Sequence, residues 1–180
     1  MLINKKYLAQ YSPLPVNYDV ANLIPYVNVA EKIWIVKTIG QELYDELDKQ
    51  VKDNTLSEEN ATLLTEGGLW QYLAFATLHE GLPFIWARIT EAGIQVGKSD
   101  NSDSVSLKDL TLFQQHIRNQ VEVLKDQVID WLCNHAESFP LFDTCQCKGC
   151  GCGCGVDAKL NKPNPQRLVY TTPRKCTNIR

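Results

Sequence analysis

The chain has 180 residues, of which 44% are hydrophobic and 22% charged, and its formal net charge is −3. This size and apolar content allow one domain with a real core and exclude a chain that is disordered throughout. No apolar run reaches the roughly 18 residues that a membrane-spanning helix needs, and the first residues lack the apolar block of a signal peptide, so we expect a protein that is not secreted and has no membrane partner.

Charge and cysteine content change together at about residue 143. Residues 1–143 carry 11 Lys and Arg against 20 Asp and Glu, a net charge of −9, whereas residues 144–180 carry 7 against one, a net charge of +6. Six of the seven cysteines lie in this second part. The composition predicts an acidic helical domain at 19–143 and a Cys/Gly-rich basic tail at 144–180.

The N-terminal residues contain two prolines, Pro13 and Pro15. Each proline disfavours the helical region for the residue before it. We therefore predict an extended N-terminal arm at 1–18, which either lies on a neighbouring molecule or is a frayed terminus.

The first predicted helix of the body covers residues 22–39. Asn22 can cap it, and Pro25 fits its first turn, where the missing N–H has no partner to lose. Gly40 is expected to end this helix in a left-handed conformation. A second short helix is predicted at 41–51, and a further helical run begins at 61.

The longest apolar-rich stretch, Leu69–Val96, is the centre around which we expect the other helices to pack. Its apolar residues recur at helical spacing. Gly81 and Pro83 interrupt it, so the pattern predicts a helix kinked near Gly81 or two helices that meet there. Residues 88–96 could include a short extended piece, but the body shows no convincing pattern of paired strands.

Residues 106–137 give the clearest helix signal. Ser106 is a capping residue with Asp109 three positions later. The apolar residues of one face recur every three or four positions, and they are Leu110, Phe113, Ile117, Val121, Leu124, Val128, Trp131 and Leu132. The body is therefore predicted to be all-α, a bundle of four to five helices with an extended Cys-rich C-terminal arm.

No pattern in the body indicates an enzyme. The segment GIQVGKS at 93–99 is one residue short of a phosphate-binding loop and lacks the flanking strand and helix. The three histidines, His79, His116 and His135, stand alone on their helices, so each is interpreted as a packed or surface residue. No serine or cysteine of the body lies in a nucleophile motif.

The cysteine cluster CQCKGCGCGC is the one chemical feature of the tail. Glycines between the cysteines let the backbone turn around a metal, and a tetrahedral zinc site takes four ligands. The spacing is unusual, because zinc sites commonly use two pairs that are further apart. A zinc site, disulfides and free thiols in a flexible linker therefore all remain open. The candidate metal ligands are Cys145, Cys147, Cys150, Cys152 and Cys154.

The rest of the tail is basic and has too few apolar residues for a core of its own. The run RLVYTT could add as a strand to the sheet edge of a partner. The predicted partner-binding residues are Arg167, Leu168, Val169, Tyr170, Arg174 and Lys175.

The order of these features resembles a known family. The segment LIPYVNVAEKIWIVKTIGQELYDEL, the apolar helix LWQYLAFATLHEGLPFIWARITEAGI, the Ser/Asp loop and the long helix ending in WLCNHAESFPLF are similar to head–tail connector proteins (neck adaptors) of tailed phages that infect Bacteroidetes. The resemblance covers about residues 13–142 and is strongest to the ring proteins of crAss-like phages. It rests on patterns of core residues.

The resemblance implies a helical head–tail adaptor fold and a structural role in the virion neck. It implies a ring of identical subunits, usually twelvefold, that contacts the portal protein and other neck or tail proteins and lets DNA pass without sequence specificity. It implies no catalytic residues, and it does not account for the cysteines. The alternative hypothesis is a zinc-dependent binding module whose helical body contacts nucleic acid or protein.

Overall fold

The computed structural model describes residues 1–15, 18–90, 93–96, 106–143 and 147. These residues are predominantly helical, as predicted for the body, but they form seven α-helices and a β-hairpin instead of four to five helices alone. The helices are α1 (Lys5–Tyr11), α2 (Ile24–Ala30), α3 (Val36–Ile39), α4 (Gln41–Asp53), α5 (Glu58–Thr65), α6 (Leu69–Trp86) and α7 (Leu107–Asn134). A 3₁₀ turn (Val20–Leu23) precedes α2, and a π-helical segment (Glu31–Ile35) joins α2 to α3. None of the described helices is long and apolar enough to cross a membrane.

Helix α6 lies at the centre of the bundle, as the apolar pattern predicted. Its side chains are buried on nearly every side, and α1, α2, α5 and α7 all pack against it. It is one continuous helix with Pro83 near its end, so two helices do not meet at Gly81. At Gly81 a side-chain Cβ would come within 2.6 Å of Leu23 and 3.0 Å of Tyr26, so glycine permits the close approach of α6 to α2.

A β-hairpin, which was not predicted from the sequence, follows α6. Strand β1 (Ala87–Thr90) pairs with β2 (Gly93–Val96) in antiparallel register, with Ala87 opposite Val96 and Thr90 opposite Gly93. The extended segment expected within residues 88–96 is therefore present, but the prediction that the body has no paired strands was wrong. Both strands alternate apolar with polar or small residues, but four residues are too few to distinguish a strand from the continuation of a helix.

The N-terminal residues do not form an extended arm. Asn4 accepts a hydrogen bond from the Tyr7 N–H and caps α1, while Leu2, Ile3 and Leu8 are buried in the main core. Pro13 and Pro15 follow the end of α1 at Tyr11, so they do not interrupt this helix. The prediction of an extended segment over 1–18 was wrong because a short apolar helix gains more from packing on α6 than local propensity suggests.

Helix α7 confirms most of the pattern that predicted it. The Ser106 hydroxyl accepts a hydrogen bond from the Asp109 N–H, as expected for the cap. The apolar stripe from Leu110 to Leu132 faces the core, but Phe113 is 49% exposed and does not belong to it. The helix that was predicted to begin at Asn22 starts differently. Asp19 caps the 3₁₀ turn before α2, and Asn22 does not act as a cap.

Candidate interaction surfaces

A disulfide bond ties the beginning of the tail to the bundle. Cys133 lies in the last turn of α7, and its sulfur is bonded to that of Cys147, with 5.6 Å between the two Cα atoms. Cys147 was one of the five predicted zinc ligands, whereas Cys133 was not predicted to take part in any site. A metal binds the thiolate, so a sulfur held in a disulfide is not a ligand in this state.

The other predicted tail residues lie outside the described part of the chain. These are the candidate zinc ligands Cys145, Cys150, Cys152 and Cys154, and the predicted partner-binding residues Arg167, Leu168, Val169, Tyr170, Arg174 and Lys175. Zinc binding by the cluster stays a prediction. Among the residues that the structure does describe, no group of three or more His, Cys, Asp or Glu side chains could hold a metal ion.

A pocket opens where the segment after α7 crosses α4 and α5. Its volume is about 290 Å³. Leu43, Phe139 and Leu141 supply apolar walls, and the carboxylates of Glu46 and Glu59 stand at its side. We refer to this site as the tail-root pocket, because residues 138–141 line it immediately before the tail begins. The pocket could not be predicted from the sequence, because the residues that line it come from three segments that are far apart along the chain.

The hydrogen bonds around Glu46 keep its carboxylate in place without neutralising it. Oε1 of Glu46 accepts from the Gln50 side-chain amide at 3.0 Å and from the Asn60 side-chain amide at 2.9 Å. Both donors are uncharged. The tail-root pocket therefore combines apolar walls with a preorganised negative charge, which suits a ligand that is both apolar and cationic.

Helix α7 also exposes large apolar side chains on its outer surface. Leu112 is 61% exposed and Val123 is 52% exposed, although both lie within a long helix. They are 11 residues apart, so they fall almost in line and about 16 Å from each other along the helix. We call this pair the outer ridge of α7. Leu107 and Phe113 add exposed apolar surface at the start of the same helix.

His79 and His135 form packing contacts with half-buried tryptophans, whereas His116 is exposed on α7. Trp34 Nε1 donates to Glu80 Oε1 at 2.9 Å, and His79 Nδ1 lies 3.1 Å from the same oxygen. His135 stacks on Trp131 with ring centroids 4.0 Å apart. The interpretation of these histidines as packed residues agrees with this geometry.

A buried carboxylate at the π-helical segment holds the N-terminal residues. Glu31 is 1% exposed, and its carboxylate accepts from the Leu2 N–H at 2.5 Å and from the Tyr44 hydroxyl at 2.9 Å. Trp70 Nε1 donates to the Leu2 carbonyl at 2.9 Å. Burial, together with the nearby Glu31 charge, raises the pKa of Tyr44 far above its ordinary value, so this phenol stays a donor.

The comparisons with known proteins bear on the family of the chain alone. No curated protein and no solved structure matches the chain. A family model described as a family of unknown function, DUF6712, matches residues 35–151. The match extends from the end of the π-helical segment through α6 and α7 to the first cysteines of the tail. Because it covers more than half of the 180 residues, the chain belongs to the DUF6712 family.

Proposed function

We propose that this protein is a structural subunit of a tailed-phage neck, where identical copies form a ring that joins the portal to the tail and lets DNA pass. The proposal places the protein in the virion after synthesis in the host cytoplasm. Its support is the resemblance of residues 13–142 to neck adaptors together with the surface of the helical body. The matching family has no assigned function, so the surface carries the argument.

The observation that carries the proposal is the outer ridge of α7. Leu112 and Val123 project away from the buried stripe of the same helix and expose more than half of their surface. Exposed apolar side chains in line on a rigid helix are a common feature of protein–protein interfaces. A subunit that contacts its neighbour through this ridge and a different surface of the next copy would form a closed ring.

The charge of the body suits a ring through which DNA slides. The net charge of residues 1–143 is −9. Each cation that binds a phosphate adds affinity that would retard the movement of DNA. An acidic lining would lack such contacts.

The test combines assembly measurements with two matched variants. Size-exclusion chromatography with light scattering and negative-stain electron microscopy would measure the assembly of purified full-length protein. We expect rings from the natural chain and smaller species from the double variant Leu112→Asp, Val123→Asp, since two carboxylates cannot enter an apolar contact without partners. The control variant Thr111→Asp, Arg118→Gln makes the same change in net charge at exposed positions of α7 that point away from the ridge.

Circular dichroism separates lost assembly from lost folding. Both double variants should keep the helical signal of the natural chain, because all four positions are exposed. A natural chain that stays monomeric at high concentration and with added portal protein would contradict the ring. So would a ridge variant that assembles as well as its control.

The zinc-dependent binding module remains the alternative function. With Cys147 paired to Cys133, four cysteines of the cluster remain, the number that a tetrahedral site requires. Metal analysis of the purified chain and treatment with a chelator distinguish the two functions. Under the ring proposal, the chelator leaves assembly unchanged, whereas a zinc module would lose its bound metal and its partner.

A further inference from the structure

The tail-root pocket lies where the tail leaves the bundle. Ser138, Phe139 and Leu141 line it, and a few residues later Cys147 is bonded to Cys133 at the end of α7. The disulfide thus keeps the beginning of the tail near the pocket. Residues 148–180 continue from this point and lie outside the described residues.

The two carboxylates of the pocket lack a cationic partner in the described part of the chain. Glu46 accepts from the uncharged amides of Gln50 and Asn60, and neither Glu46 nor Glu59 forms an ion pair there. Leu141 provides exposed apolar surface beside them, above the buried side chains of Leu43 and Phe139. A fitting ligand would therefore present a cation next to an apolar or aromatic side chain.

The tail contains one segment with that chemistry. Residues 148–180 carry a net charge of +6, and Leu168, Val169 and Tyr170 form their longest apolar run. Arg167 directly precedes this run, and Arg174 and Lys175 follow it. Elsewhere in the tail, Lys159 and Arg180 also adjoin apolar residues, but only single ones such as Leu160 and Ile179.

We propose that the tail-root pocket binds residues 167–175 of the same chain. The apolar run would cover Leu141, which lines the pocket and is 38% exposed, while the cations before and after it pair with Glu46 and Glu59. Twenty residues separate Cys147 from Arg167, and an extended segment of that length can reach about 65 Å. A covalent connection that can span this distance supplies an effective concentration of the order of millimolar, which favours the same chain over a second copy. The proposal does not depend on the ring.

Carbodiimide cross-linking of the full-length chain tests this contact directly. The reagent joins a carboxylate to a lysine amine when the two form an ion pair, and mass spectrometry of the digest identifies the pair. We expect Lys175 to be joined to Glu59 or Glu46 in protein of monomer mass. Added salt should lower the yield, because the pairs are close to the surface.

Matched variants show whether the pocket causes the cross-link. The double variant Glu46→Gln, Glu59→Gln keeps the side-chain size and should abolish these cross-links of Lys175. The control Asp130→Asn removes an exposed acid of α7 and should leave them unchanged. A third variant, Tyr170→Ala, removes the aromatic ring from the docking segment. It should lower the cross-link yield and raise hydrogen exchange in residues 57–60.

Three outcomes would overturn the proposal. A Lys175 cross-link found only at dimer mass would assign the pocket to the tail of a second copy. Equal yields from Lys159, Lys162 and Lys175 would show a diffuse attraction between basic tail and acidic body. Absence of any cross-link at the pocket, with unchanged hydrogen exchange in Tyr170→Ala, would show that this segment does not bind there.

Discussion

Replacement of Glu31 by alanine tests how the N-terminal residues are held in the core. The Glu31 carboxylate accepts a buried hydrogen bond from the Leu2 N–H at 2.5 Å and a second one from the Tyr44 hydroxyl at 2.9 Å. In Glu31→Ala both donors lose this partner. The Leu2 amide is buried and attached to core residues, so it has little freedom to reach water.

The expected cost follows from these two donors. A buried donor without a partner costs about 1–3 kcal/mol. The Leu2 amide should incur most of this penalty, whereas the half-buried Tyr44 hydroxyl can turn toward solvent and should incur less. Removing a buried charge recovers part of the loss. We therefore expect Glu31→Ala to lower the free energy of unfolding by about 2–4 kcal/mol.

Urea unfolding followed by far-ultraviolet circular dichroism measures this change. The controls are Glu31→Gln, which keeps an acceptor oxygen of similar size, and Tyr44→Phe, which removes only the second donor. Glu31→Gln should lose less stability than Glu31→Ala. The double variant Glu31→Ala, Tyr44→Phe should cost less than the sum of its single changes, because the two residues share a hydrogen bond.

The opposite pattern would refute this account of Glu31. A loss under about 1 kcal/mol in Glu31→Ala would mean that water or another group replaces the carboxylate at no great cost. Equal losses in Glu31→Gln and Glu31→Ala would show that the charge itself, and not its role as an acceptor, stabilises the fold. Strict additivity with Tyr44→Phe would exclude the shared hydrogen bond.

Two further predictions concern Tyr72 and the disulfide between Cys133 and Cys147. Burial raises the pKa of Tyr72 to about 12, above the ordinary value of about 10. The neutral phenol is therefore favoured in the folded state, and its contribution to stability should be lost as the pH rises from 10 toward 12. Melting temperatures of the natural chain and Tyr72→Phe should then converge over this range, and a constant difference would contradict the shift. Cys133→Ser opens the loop closed by Cys147 and should lower stability by up to about 3 kcal/mol; the difference should disappear in reducing buffer, and its persistence there would assign the loss to packing.

Several features of the fold were predictable because their signals are local. The Ser106 cap and the apolar positions of α7 depend on residues within a few positions of each other, and both predictions were confirmed apart from Phe113. Gly40 ends α3 at a positive φ of +85°, but its ψ of 159° lies outside the left-handed helical region that was expected. The apolar composition of residues 69–86 was enough to place α6 at the centre of the bundle, since such a helix must be covered by protein on most sides.

Other features required contacts between distant residues. Helix α1 exists because Leu8 is buried in the main core and Tyr7 stacks on Trp70 with ring centroids 3.9 Å apart. Phe113 matches the period of the buried stripe, yet it is exposed, because periodicity tells which face of a helix is apolar but not where the covering elements end. The same limit explains why the exposed outer ridge of α7 was not predicted.

The sequence by itself determined the helical class of the body, its central helix and the change from an acidic body to a basic tail. These properties follow from composition and short-range periodicity. Only the tertiary structure decided that Cys133 pairs with Cys147 and that Glu46 and Glu59 share a pocket with Phe139. The residues of each set come from different elements, and their proximity depends on how α4, α5 and α7 pack, which no local pattern encodes.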